Sequence, residues 1–331
     1  MDITLFLMLF GFVLAAYSII ANDTIQTLGT FLSSNSHRPW WILWIFIATI
    51  FTAVILYGWY SSGHIVDGQF IGDVAYDRLS KFPVPENFTW LLVLPPLIIL
   101  LLTRWGIPVS TTFLVLTVFA PTNLEKMLTK SLLGYVVAFG ASIILYLLIS
   151  KIIEEKFIKS KPHEINDLPM HWIVLQWLST AFLWSQWLIQ DLANIFVYMP
   201  SRELSGIYVY GSIAVIWVML GYIFYTRGGA IQGIVNSKTN VNDVRTATII
   251  NLVFGLILLF FKEMSNIPMS TTWVFLGLLA GREIALSITL HHRTMNDTAK
   301  NIGFDIAKAF FGLAVSVAIA FSFPILSEFL N

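Results

Sequence analysis

Arg104-Trp-Gly-Ile-Pro-Val-Ser-Thr-Thr-Phe113 reappears as Met264-Ser-Asn-Ile-Pro-Met-Ser-Thr-Thr-Trp273; the shared core, Ile-Pro-x-Ser-Thr-Thr-aromatic, starts at Ile107 and Ile267. A second pair of motifs precedes it in each case, Ala21-Asn-Asp-Thr-Ile-Gln26 and Ile189-Gln-Asp-Leu-Ala-Asn194. Asp23 precedes Ser110 by 87 positions and Asp191 precedes Ser270 by 79, so both motifs repeat in order and at similar spacing. One Ser-Thr-Thr arises easily by chance. Two motifs paired in register do not, and the chain reads as a duplication.

The surroundings of the motifs are apolar. Of 331 residues, 57% are hydrophobic and 11% charged, against about 25% charged in a soluble domain, and the mean hydropathy is +0.77. This is the composition of an integral membrane protein. Nineteen basic and nineteen acidic residues cancel, which argues against a nucleic-acid partner held by bulk charge. The absence of cysteine excludes disulfides, thiolate metal sites and cysteine nucleophiles. The first apolar run, 3–21, follows Asp2 where a signal peptide needs basic residues, so it is expected to be a retained span.

Apolar runs measured against the roughly 20 residues needed to cross a bilayer give ten segments. They are 3–21, 39–60, 90–103, 107–120 and 131–150, then 172–189, 207–226, 246–261, 267–281 and 309–327. The third and fourth of each set stand close together and are short. Such pairs predict re-entrant helical hairpins, which are tolerated where protein or a watery cavity covers the turn. Each half then crosses an odd number of times, so the halves are expected to be inverted relative to one another. The expected fold is an all-α membrane protein made of a first repeat (1–152), a cytoplasmic linker (153–171) and a second repeat (172–331). Placing the linker inside puts twelve basic residues on that side and five outside, namely Arg78, Lys81, Lys126, Lys130 and Arg202. That predicts both termini outside. Arg104 and Lys262 fall at the hairpin turns. Asp67, Asp73 and Asp77 lie in the outer loop of the first half and read as solvated, and the histidines read as interfacial or loop residues.

Asp191 is the only charge between Leu168 and Ser201. A carboxylate at membrane depth normally faces a partner or a cavity, and the bland alternative is an ion pair with Arg202. Asp23 alone reads as a helix terminus or cap, but its match to Asp191 raises it to the same rank. Gln26 and Asn194 follow the aspartates by three residues and share a helix face with them; Asn22 and Gln190 precede them. Carboxylate and amide oxygens suit a hard cation such as sodium, and no imidazole or thiolate in the set suits a transition metal. A protonatable carboxylate is the other possibility. The Ile-Pro-x-Ser-Thr-Thr motif predicts a helix start with proline in the first turn. There Ser110, Thr111, Thr112, Ser270, Thr271 and Thr272 add hydroxyl donors to free backbone amides, a setting that holds an oxyanion. Plain N-capping by Ser110 and Ser270 is the simpler reading of either copy alone.

At these residues the sequence resembles the inorganic phosphate transporter (PiT) family of cation-coupled symporters. That family carries Gly-Ala-Asn-Asp-Val-Ala-Asn in each inverted half and a Pro-x-Ser-Thr-Thr hairpin motif after it. The matches are Asn22, Asp23 and Gln26, then Gln190, Asp191 and Asn194, with Ser110 to Thr112 and Ser270 to Thr272. Gln26 and Gln190 replace asparagines, the opening glycines are absent, and Phe113 and Trp273 stand where the family has histidine. The resemblance implies sodium- or proton-driven uptake of phosphate. On that reading Asn22, Asp23, Gln190 and Asp191 bind the cation, with Asp23 and Asp191 as its carboxylate ligands. Gln26, Asn194 and the six hydroxyl residues bind the anion. It also implies a homodimer in a plasma or bacterial inner membrane, and no cofactor beyond the coupling ion. With Asp23 and Asp191 committed to cations, sulfate, which needs mainly donors, becomes an alternative anion. An anion channel or exchanger, and an aspartate-based membrane enzyme, are the rival classes, and the inverted duplication favours transport over both.

Overall fold

The first helix shows how polar sequence is kept inside an apolar chain. In the computed structural model, which describes residues 2–105, 107, 109–149, 169–227, 244–264, 266–290 and 294–330, α1 runs Ile3–Ser34 and is N-capped by Asp2. The apolar run ends at Ala21, yet the helix continues thirteen residues further. It does so because tertiary partners satisfy the polar side chains that follow, as described below. Asp23 is therefore in a helix interior, not at a cap.

Among the described residues each of the ten apolar runs contains helix. α2 is Trp40–Ser62. A 3-10 turn at Trp90–Val93 leads into the short α3, Leu94–Arg104. The returning arm is a π-helical turn, Thr112–Leu116, continued by α4, Thr117–Phe119. α5 is Leu124–Ile149, α6 Met170–Phe196 and α7 Gly206–Tyr225. The second hairpin is longer than its apolar runs suggest, with α8 at Val244–Met264 and α9 at Thr271–Leu290. α10 is Met295–Leu330. Among the described residues seven helices are long and apolar enough to cross a membrane; α6, with its polar face, is not one of them. The most apolar stretches of α8 and α9 are 61% and 78% buried, whereas those of α5 and α10 are 28% and 22% buried. Protein therefore shields the second hairpin, and α5 and α10 turn most of their surface outward.

Matching helices of the two halves run antiparallel. At one end of α1, Phe12 packs edge-on to Phe196 of α6 at 5.4 Å; at the other, Asn35 donates to Gln176 Oε1 at 3.0 Å. α2 and α7 pair likewise, with Trp40 against Tyr225 and Trp59 against Tyr210. α5 and α9 pack closely because Gly277 and Gly281 face the carbonyls of Tyr135 and Phe139, a small-residue contact of the kind that lets membrane helices approach. Ser142 also donates to Leu278 O at 2.7 Å.

A small sheet was not anticipated. β1 (His64–Val66) and β2 (Gln69–Gly72) form a hairpin, and β3 (Leu204–Ser205) adds to β2. The turn residues Asp67 and Gly68 have φ of 49° and 79°, the left-handed pair that a two-residue Asp-Gly turn favours. The sheet joins the loop after α2 to the loop before α7, so both lie at one end of the molecule, here called the sheet end.

The loop after β2 corrects the reading of Asp73. Asp67 and Asp77 are exposed, but Asp73 is buried. It accepts from Ala75 N at 2.6 Å and Leu79 N at 3.1 Å. Burial pushes its carboxyl up to about 6 despite the two amide bonds, which act the other way. The folded loop thus binds more protons than the opened loop between about pH 4 and 6, so its stability falls as pH rises through that window. Hydrogen-exchange protection of the Ala75 and Leu79 amides should drop about tenfold from about pH 5 to 7, and Asp73→Asn should flatten the dependence. Protection that rises with pH would count against this.

Candidate functional site

The tips of the two hairpins meet in the protein interior, between α1 and α6. Ser110 Oγ accepts from Phe113 N at 3.2 Å, and Ser270 Oγ from Trp273 N at 3.4 Å. Both serines are thus N-caps, and the simpler reading holds for their hydroxyls. Pro268 precedes the cap of α9 by two residues instead of entering its first turn, and Pro108 lies outside the described residues.

The threonines do something else. Thr111 Oγ1 donates to Asp23 Oδ2 at 3.1 Å. Thr112 Oγ1 lies 3.2 Å from both Asp191 Oδ1 and Met269 O. Thr272 Oγ1 donates to Val109 O at 3.1 Å, and Thr271 lies close enough to act on the Asp191 carboxylate. Asn194 Nδ2 reaches Asp191 Oδ1 at 2.6 Å and the hydroxyls of Thr111 and Thr112 at 3.2 Å. Gln26 Nε2 reaches Thr272 Oγ1 at 3.1 Å. The two halves therefore make matched crossed contacts: each hairpin tip bonds a main-chain carbonyl of the other, and each α1 or α6 amide bonds the threonine of the opposite half. Asp23 and Asp191 are joined through Thr111 and Asn194.

Ten of the twelve expected site residues enter this network directly, Ser110 and Ser270 included as caps. Asn22 joins it at one edge, donating to Asp23 Oδ1 at 2.6 Å and Val109 O at 3.2 Å. Gln190 is outside the hydrogen-bond network and donates to Leu258 O at 3.2 Å, which leaves its Oε1 free. All are buried except Gln26, which is half-buried. Phe113 and Trp273 pack into the apolar core, Trp273 against Phe310. Arg202 does not pair with Asp191; its guanidinium is spent on the carbonyls of Phe82, Pro83, Val197 and Met199.

Sequence reasoning missed three supports. Thr103 donates to Asn22 Oδ1 at 2.8 Å. Lys130 Nζ holds Ile267 O, and Ser131 Oγ accepts from Ser270 N, both at 2.8 Å. Together the adjacent Lys130 and Ser131 fix the second tip from α5. Lys130, an outer basic residue on the sequence reading, is buried. A lysine one residue before a long apolar run was the available signal. A polar column also leaves the site along α1: Thr30 bonds Asn251, which bonds Thr180, and Ser34 and Asn35 bond Gln176. His163, His291, His292 and most of the linker lie outside the described residues.

Four oxygens at the site are buried without a hydrogen-bond partner: Asp191 Oδ2, Asn194 Oδ1, Gln26 Oε1 and Gln190 Oε1. Orphaned oxygen acceptors of carboxylate and amide type fit a hard cation and offer nothing to a soft one.

Fold and site define an all-α integral membrane protein whose two polar hairpin tips meet beside a pair of buried carboxylates. The chain shares that fold with a solved structure described as the sodium-dependent phosphate transporter, at a TM-score of 0.63 and 17% identity, over 98% of this chain and 100% of that one. The likeness implied by the motifs thus extends over the whole fold. No protein-family model and no curated protein matches the chain.

Proposed function

We propose that the protein is a secondary transporter carrying an inorganic oxyanion inward with a cation. Phosphate is the first assignment and sulfate the alternative; sodium is the coupling ion and a proton its alternative. The observation that carries this reading is the set of orphaned oxygens around Asp191. Asn22, Asp23, Gln190 and Asp191 form the cation side, and Asp23 and Asp191 supply its charge. Thr111, Thr112, Thr271, Thr272, Gln26 and Asn194 form the anion side, on helix starts capped by Ser110 and Ser270. The fold shared with a sodium-dependent phosphate transporter supports the assignment.

Coupling follows from hydrogen-bond supply. The Thr112 hydroxyl has one proton, and in the structure two acceptors compete for it. Asn194 directs its amide at the same Asp191 oxygen. A cation on Asp191 reduces that oxygen's claim on both donors and releases them to an arriving anion. The anion in turn is not left uncompensated in a low-dielectric interior. On this reading the repeats are 1–152 and 172–331, the linker 153–171 and the opposite end lie inside, and the sheet end lies outside.

Uptake of radiolabelled phosphate and sulfate by proteoliposomes, with and without an inward sodium gradient, tests this. Gradient-dependent accumulation of one anion is expected. Flux of both anions indifferent to sodium and protons would point to a channel or exchanger, and no flux of either would sink the transport reading.

A further inference from the structure

Arg78 is the one basic side chain named as an outer marker that is almost wholly enclosed, at 1% exposure, without a hydrogen bond to occupy it. Its Nε and Nη2 atoms are both buried and have no hydrogen-bond partner. Those two nitrogens form one edge of the guanidinium fork, the edge that takes two oxygens of a carboxylate or phosphate at once. Burying a charge this way is costly unless something completes it.

The loop is constructed to bury it. Asp73 ties Ala75 N and Leu79 N together across the turn. Tyr76 and Asp77, immediately before Arg78, are both left-handed with φ of 59° and 60°, a conformation strained for residues with a Cβ. Tyr76 Oη anchors the loop to Val54 O at 2.8 Å. The following residues dock on the site's own elements. Arg202 joins the carbonyls of Phe82 and Pro83 to those of Val197 and Met199, directly after the Asn194 turn of α6. Asn123, beyond α4, donates to Lys81 O at 3.0 Å. The charges near enough to act on Arg78 electrostatically are Asp73, Asp77 and Asp191, with Lys130 as a second cation. None of the three carboxylates is hydrogen-bonded to its free edge.

We propose that Arg78 is a substrate-binding residue on the sheet-end side of the tips, where its Nε and Nη2 edge takes two oxygens of a tetrahedral oxyanion. The anion is then held between a fixed cation and the threonine-bearing helix starts, so the imported cation is not its sole counter-charge. This inference rests on the transport reading and adds to it a residue outside both repeated motifs.

The test is equilibrium binding of radiolabelled phosphate, and separately sulfate, to purified full-length protein in detergent with sodium present. Sodium binding is followed by its thermal shift. Arg78→Gln should weaken binding of the favoured anion about tenfold or more, the effect of losing a charge-assisted bidentate contact, while sodium still stabilises the variant. Arg78→Lys keeps the charge and loses the fork, so it should weaken the anion several-fold and decides the matter if the Gln variant does not fold. Wild-type anion affinity in either variant overturns the proposal and leaves the transport reading standing. Wild-type protein that binds neither anion overturns both.

Discussion

Asp191→Asn should reduce sodium-driven anion uptake about a hundredfold, to near the level of empty liposomes, while leaving the protein folded. Asp191 Oδ1 accepts from Thr112 and Asn194, and an asparagine carbonyl retains both bonds. Oδ2 has no partner, so an amide placed there displaces nothing. On the transport reading, what is lost is the charge that holds the cation. One charged contact contributes about 1.5–3 kcal/mol, and about 2.8 kcal/mol corresponds to a hundredfold. Sodium should no longer raise the unfolding temperature of the variant. Asp23→Asn should also stop coupled uptake, but at a structural cost, because both of its oxygens are already accepting, from Asn22 and Thr111. Replacing one acceptor with a donor there should cost about 1 kcal/mol or more of stability. Wild-type uptake in either variant would remove that aspartate from the mechanism, and equal stability of the two would contradict the difference in their hydrogen bonding.

The second large effect concerns α5 and α9. A Cβ at Gly277 would press on Tyr135 O, and one at Gly281 on Phe139 O and, at 2.9 Å, on Ser142 Cβ. Alanine is the better helix former by about 1 kcal/mol, so the sign of Gly→Ala is not obvious from propensity. The obstacles are main-chain carbonyls, which move only if the helices separate. Separation would loosen the packing that holds the second tip, and overpacking of this kind costs about 1–3 kcal/mol, occasionally more. Gly277→Ala and Gly281→Ala should therefore each lower stability by about 2 kcal/mol net. Gly140, also on α5, faces open space, and Gly140→Ala should stabilise slightly. Thermal unfolding in detergent distinguishes these outcomes, and a stabilised Gly277→Ala would show that the contact is loose.

The candidate site residues were legible because each is a polar group in a chain that otherwise avoids them. Asp191 is the only charge among 34 residues, and the repetition of its neighbourhood raises Asp23 to the same rank; the continuation of the helix to Ser34 removes the cap as an explanation. Helices were legible for the same reason, since apolar runs of bilayer length admit few alternatives. The Asp-Gly turn of the β-hairpin was written in the chain as well, at residues 67 and 68, but two short strands between long spans carry too weak an alternation to stand out.

Which charges are structural, solvated or functional was decided by tertiary contacts alone. Arg78, Lys130 and Arg202 look alike as basic residues near loop ends. Yet Arg202 is consumed by carbonyls, Lys130 supports the second tip, and Arg78 is buried with its fork free. Likewise Asp73 and Asp77 sit four residues apart in one loop, and only Asp73 is enclosed. Sequence by itself determined the membrane fold and singled out the pair of aspartates, because burying a charge or exposing twenty apolar residues is too costly to leave several solutions. The crossed pairing of the tips, and the choice of which hydroxyl serves which carboxylate, came from the tertiary structure. Those contacts join residues about 80 to 250 positions apart through bonds of about 1 kcal/mol each, and no local pattern encodes such a partner.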